Sequence, residues 1–352
     1  MGGGGFDPKA YSAGVDALKA TGATFARSAA ATATGDFSKL ADILNPRKLK
    51  NGMRECCFAP GFSDAMPIVV SIDGTGSMST VPVEIQAALP GLIESLVAQG
   101  ITDHPNVMFI CHDDEIHLPP DAAFQMSQFE TGAKELTESL NQMIIPGLGG
   151  GNCGEGYHIS FYAAANHTRL EPFERDGTKG YFVMICDEQP YYDAADPAKF
   201  GTKPSLAKEI FGDDIQAEVT MLDSVKKVAE RYHIFIIRPG HTQNGKNRAI
   251  TKLWQKLLSD AGVNPEHVLE VEKTADIIPT ITLAIGRLNG ADDHDMVSVL
   301  KASGIDAKGA ISATSAVVPY AGASTGLVAV GKASAEIVTT KGGDKPKGHA
   351  RR

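Results

Sequence analysis

The run Pro67-Ile-Val-Val-Ser-Ile72, closed by Asp73-Gly-Thr-Gly-Ser-Met-Ser79, constrains the fold of this chain more than any other stretch. Its β-branched residues, bounded by Pro and Gly, read as a strand covered on both faces, the pattern of a parallel sheet. Asp73 falls just past the carboxyl end of that strand. In open α/β sheets ligands bind at this edge, because its loops lead into helix N-termini. Asp73, Thr75 and Ser77 alternate along the loop, so a carboxylate and two hydroxyls converge while Gly74 and Gly76 let the backbone curl. Hard oxygens of this kind suit Mg²⁺ or Mn²⁺.

Further apolar runs follow at residues 107–111, 181–186, 233–237 and 268–271, and each reads as a buried strand. Between them the apolar residues take helical spacing: Ile85, Leu89, Leu92, Ile93, Leu96 and Val97, then residues 133–143, 157–166, 215–232, 248–258 and 275–288. Phe124, Met126 and Gln128 alternate as a short strand would. With right-handed crossovers, this order predicts an α/β fold, a doubly wound and mostly parallel sheet with helices on both faces. Residues 1–65 read as an N-terminal helical extension, rich in Ala, Ser and Thr, with Asp36 capping a second helical segment over 37–44 that Pro46 stops. Residues 289–352 lack a clear period and read as a low-complexity tail, so removal of 301–352 is expected to leave a folded core.

At the Asp73 loop the chain resembles the von Willebrand factor A (vWA) domain family, whose metal-ion-dependent adhesion site begins Asp-x-Ser-x-Ser after the first strand. Thr75 stands for the first Ser. Gly149-Gly-Gly-Asn-Cys-Gly-Glu155 is similar to the family's second loop, with Cys153 at the Thr position, and Ile185-Cys-Asp-Glu-Gln-Pro190 is similar to the third. The resemblance covers about residues 66–288. It implies strand order 3-2-1-4-5-6 with one short antiparallel edge strand. It also implies that Asp73, Thr75, Ser77, Cys153, Glu155 and Asp187 surround one Mg²⁺ or Mn²⁺, whose open position takes a carboxylate from a protein partner. Because a thiol is a poor ligand for Mg²⁺, Asn152 and Glu155 are the oxygens available to replace it. Bacterial and phage proteins of this family often act as adaptors for an AAA+ ATPase. The function so implied is metal-dependent protein binding without catalysis.

Other readings compete. Ser77 or Ser79 could simply cap the next helix. Ile72-Asp-Gly-Thr75 also fits half of the first motif of haloacid dehalogenase-like phosphatases, and Gly212-Asp-Asp214 could pass for their late metal motif. The nucleophile position there holds Ser71, with no base evident to activate it. Cys111, Cys153, Cys186 and His112 gather at one strand edge, where zinc is conceivable, although thiols in such strands usually pack as small hydrophobes. A structural assembly protein that uses the fold as a scaffold, with self-association, is the remaining alternative.

The charge balance narrows the partners. Residues 301–352 carry eight Lys and Arg against three Asp and Glu, which divides the net −9 into +5 for the tail and −14 for the body. Duplex nucleic acid is therefore not expected on the body. Neither a membrane-length apolar run nor a secretory leader is evident, and five cysteines without Cys-x-x-Cys give no disulfide framework or zinc finger, so a cytoplasmic protein is expected.

Overall fold

The computed structural model describes residues 26–36, 40–62, 64–78, 80–114, 123–145, 147, 154–302 and 306–319. Its central sheet has six strands: β1 (Met66–Asp73), β2 (Pro105–His112), β3 (Phe124–Met126), β4 (Gly180–Ile185), β5 (Tyr232–Pro239) and β6 (Val268–Val271). Their spatial order is 3-2-1-4-5-6, all parallel except β3, which runs antiparallel to β2. The fold is thus the doubly wound one that the alternating pattern predicts, with the strand order that the resemblance implies.

The two-residue period of each strand divides its side chains between two cores. Ile68, Val70 and Ile72 face one core with Phe109, Val183 and Ile237, covered by helices α1 (Val81–Ala98), α2 (Ala133–Gln142) and, further along the chain, Ile277–Leu288. Val69 faces the other with Met108, Phe182, Met184 and Ile236, under α3 (Tyr157–Asn166), α4 (Met221–Arg231) and α5 (Arg248–Asp260). Helix α4 starts six residues later than its apolar spacing suggests. Thr220 caps it, its hydroxyl accepting from the Asp223 N–H at 3.0 Å, and Val219–Thr220 pairs with Gly201–Thr202 in a short ribbon.

Both flanking segments are woven into this body. The helix Ala26–Thr34 lies on α2, where the Ser28 hydroxyl donates to the Ile145 carbonyl and accepts its N–H, both at 2.9 Å. Arg54–Cys56 pairs in parallel with Thr168–Leu170. The Arg54 guanidinium donates to the carbonyls of Ile43 and Met126, and the Met126 N–H bonds Leu44, so residues 43–54 strap the edge strand β3. The helix expected at 37–44 is not formed over the described residues 40–44, and 37–39 lie outside them.

Beyond α6 (Ile277–Leu288) the chain continues as α7 (Asp293–Ala302) and α8 (Lys308–Ala313). Leu283, Met296, Leu300, Ala307 and Ala310 form a third apolar cluster, and Val317 joins the first core. The tail reading therefore does not hold for residues 293–302 and 306–319. The rest of that segment lies outside the described residues.

Candidate metal centre

Three loops meet at the carboxyl edge of β1 and β4. The first carries Asp73, Thr75 and Ser77 through the 3-10 turn Gly76–Met78. The second carries Glu155 into α3, and the third carries Asp187 and Glu188 after β4, joined to the second by a bridge between Glu155 and Pro190. Cys153 and Asn152 lie outside the described residues.

Hydroxyls stitch the carboxylates together. The Thr75 Oγ1–H donates to Asp73 Oδ1 at 2.6 Å, with Glu155 Oε2 at 3.2 Å, and Thr75 Oγ1 lies 3.1 Å from Ser77 Oγ. Ser77 Oγ–H donates to Asp187 Oδ1 at 2.8 Å. The backbone N–H of Thr75 also bonds Asp73 Oδ1. Ser77 thus reaches across the site, and Thr80, the N-cap of α1, makes no side-chain cap bond, while Ser79 lies outside the described residues.

Burial sets the electrostatics. Asp73 and Asp187 are 0% exposed and Glu155 is 4% exposed, yet none of the three carboxylates takes a hydrogen bond or ion pair from Lys, Arg or His among the described residues. Burial raises the Asp73 carboxyl, and the charge of Asp187 adds to the shift. Glu155 is held well above the usual carboxylate range, by burial first and then by Asp73 and Asp187. Like charges confined out of water demand a proton or a cation.

The donor set fits a hard divalent cation. Each hydroxyl gives its proton to a carboxylate, which leaves its lone pairs for an ion. The three carboxylates without the hydroxyls are no preformed cage: among the described residues, only the exposed Asp292, His294 and Asp295 bring three His, Cys, Asp or Glu ligand atoms within 4.8 Å of one another. There Asp292 accepts from the backbone N–H groups of His294 and Asp295, as a helix cap does.

Several neighbours of the site are not evident as such from sequence. Tyr157, two residues after Glu155, donates its hydroxyl to Asp73 Oδ2 at 2.8 Å and to Glu155 Oε2 at 3.1 Å. Asn244 donates its backbone N–H to Asp187 Oδ2 at 3.3 Å and its amide to Glu188 Oε2 at 2.5 Å. The buried Arg238 donates to the carbonyls of Asp187 and Asn244, pinning the loop after β5 against the third loop. Below Asp73, His112 Nδ1 lies 3.3 Å from Ser71 Oγ and 3.0 Å from Ser160 Oγ, and burial holds its ring neutral with a pKa down to about 3.

The rival constellations are not assembled among the described residues. Asp213 is bound by the Tyr162 hydroxyl and His167, at the far end of α3 from Tyr157. Cys111 packs in one core and Cys186 in the other, on opposite faces of the sheet, and burial pushes both thiols well up.

No protein-family model matches the chain, and no curated protein matches its sequence. Similar solved structures include the pilus adhesin SpaC from Lactobacillus rhamnosus GG in its open conformation, at 12% identity and TM-score 0.44 over 71% of this chain and 31% of that one. Another is the vWF domain of the type V pili tip protein Mfa5 from Porphyromonas gingivalis, at 10% identity and TM-score 0.38 over 69% of this chain and 96% of that one. This chain spans under a third of SpaC's length. No helix among the described residues is long and apolar enough to cross a membrane.

Proposed function

We propose that this chain is a metal-dependent protein-binding module whose site is built from Asp73, Thr75, Ser77, Glu155 and Asp187. The observation that carries the reading is the set of three buried carboxylates, linked by the hydroxyls of Thr75 and Ser77 and lacking a basic partner among the described residues, at the carboxyl edge of a parallel sheet. A divalent cation of the Mg²⁺ or Mn²⁺ type would be held by these oxygens and would offer a coordination position to an oxygen of a partner protein. Ser77, the half-exposed member, marks the side from which that partner approaches. We read the site as one of recognition: the phosphatase nucleophile position is Ser71 rather than a carboxylate, buried with His112 Nδ1 at 3.3 Å from its Oγ, and Asp213 is engaged by Tyr162 and His167.

A second reading rests on the same burial. An ion so deeply seated would lock the three loops together, as in a structural assembly protein, without meeting a partner. Calorimetric titration with Mg²⁺ is expected to show about one site, lost in Asp73→Ala. Capture of partner proteins, an AAA+ ATPase among the candidates, in Mg²⁺ but not in chelator separates binding from locking. Equal Mg²⁺ affinity in wild type and Asp73→Ala would remove both readings.

A further inference from the structure

One phenolic oxygen touches all three loops of the site. Tyr157 Oη donates towards Asp73 and Glu155, and it accepts the Glu188 N–H at 3.2 Å. The same Glu188 bonds the chain's sole tryptophan, its carbonyl accepting from Trp254 Nε1 at 3.0 Å. The Trp254 ring lies 5.4 Å from that of Tyr157. Both rings are 0% exposed, so this polar chain runs through the interior of the second core.

Packing alone would not require the hydroxyl. Phenylalanine fills the same volume, and a buried hydroxyl costs free energy unless its bonds are made. Here, among the described residues, they are made only to the loops that carry the carboxylates and to the backbone beside Asp187. We propose that Tyr157 is the positioning residue that orients Asp73 and Glu155 for a cation and couples the loaded state to Glu188 and Trp254. The proposal rests on the metal-binding reading above. Residues that orient metal ligands from behind commonly contribute 10–100-fold to affinity.

The test uses the full chain, with Mg²⁺ alone as the probe and two readouts, calorimetry and Trp254 emission. In wild type the emission is expected to change in step with calorimetric saturation. Tyr157→Phe should lose about 10–100-fold in Mg²⁺ affinity and lose the emission response. Tyr162→Phe supplies the control, since it removes another hydroxyl from the same helix, one that bonds Asp213 away from the site. It should leave the affinity unchanged. Mg²⁺ affinity within twofold of wild type in Tyr157→Phe would overturn the proposal, as would an equal loss in Tyr162→Phe. Should Tyr157→Phe fail to fold, wild-type emission blind to saturating Mg²⁺ overturns the coupling by itself. Flat calorimetry in wild type is a different failure, since it removes the metal reading and this proposal with it.

Discussion

Glu155 and Asp73 reach the same two hydroxyls, those of Thr75 and Tyr157, and so cannot both carry full charge in a dry site. Burial and the neighbouring carboxylates raise Glu155, so it keeps a proton at neutral pH in the metal-free protein. On the proposed metal-binding reading, a cation replaces that proton. Mg²⁺ binding at pH 7 is therefore expected to release about one proton and to strengthen as pH rises. Calorimetry in two buffers of different ionisation heat measures this directly, and buffer-independent heats would show that Glu155 is not displaced. The Asp73 loop and Asp187 are legible in the sequence because each sits where an apolar run stops. Tyr157 is not, because its bond to Asp73 spans 84 residues and its sequence position reads only as the start of a helix.

At the scale of elements, the central strands are legible because burial on both faces makes each a continuous apolar run, whereas α8 leaves no such mark. It docks through small residues: Ala310 is fully buried, and Gly309 lies against Asp276 so closely that a Cβ would meet Oδ2 at 2.5 Å. Close approach of this kind needs an absence of side chain, which gives no apolar period to read. The expectation that removal of 301–352 leaves the core intact is therefore replaced by a graded one. A chain ended at residue 302 uncovers Leu283 and Leu300 and should lose several kcal/mol, at about 1.5–3 kcal/mol per large apolar side chain exposed. A chain ended at residue 319 keeps every one of these contacts. Gly309→Ala should destabilise by about 1–3 kcal/mol through overpacking against Asp276. Urea midpoints of the three variants rank them, and a wild-type midpoint for the chain ended at 302 would show that α8 contributes nothing to the body.

For the molecule as a whole, two sets of buried groups pull stability in opposite directions with pH. Burial holds His112 and His158 neutral, with pKa values down to about 3, and holds His233 down to about 4. Their unfolded counterparts protonate near 6.5, so the unfolded state binds more protons below that value. The stability they contribute is full above about pH 6.5 and is lost as pH falls towards 3–4, at roughly 1.4 kcal/mol per pH unit for each. Glu155 has the opposite sign. Its folded pKa lies above its unfolded value, so in metal-free protein it adds stability that is full below about pH 4.5 and declines as pH rises. The three histidines balance the one carboxyl where each unfolded imidazole is one-third protonated, which places the metal-free optimum at about pH 6.8, with the carboxyl governing the slope above it and the histidines below. A bound cation removes the carboxyl contribution, because the loaded Glu155 has no proton to keep. Saturating Mg²⁺ should then raise stability most at alkaline pH and move the optimum upward, while the acid limb set by the histidines stays in place. Urea midpoints from pH 5 to 8, in Mg²⁺ and in chelator, test both halves: an optimum that does not move with Mg²⁺ would exclude Glu155 as the titrating group, and a flat acid limb would exclude the histidines.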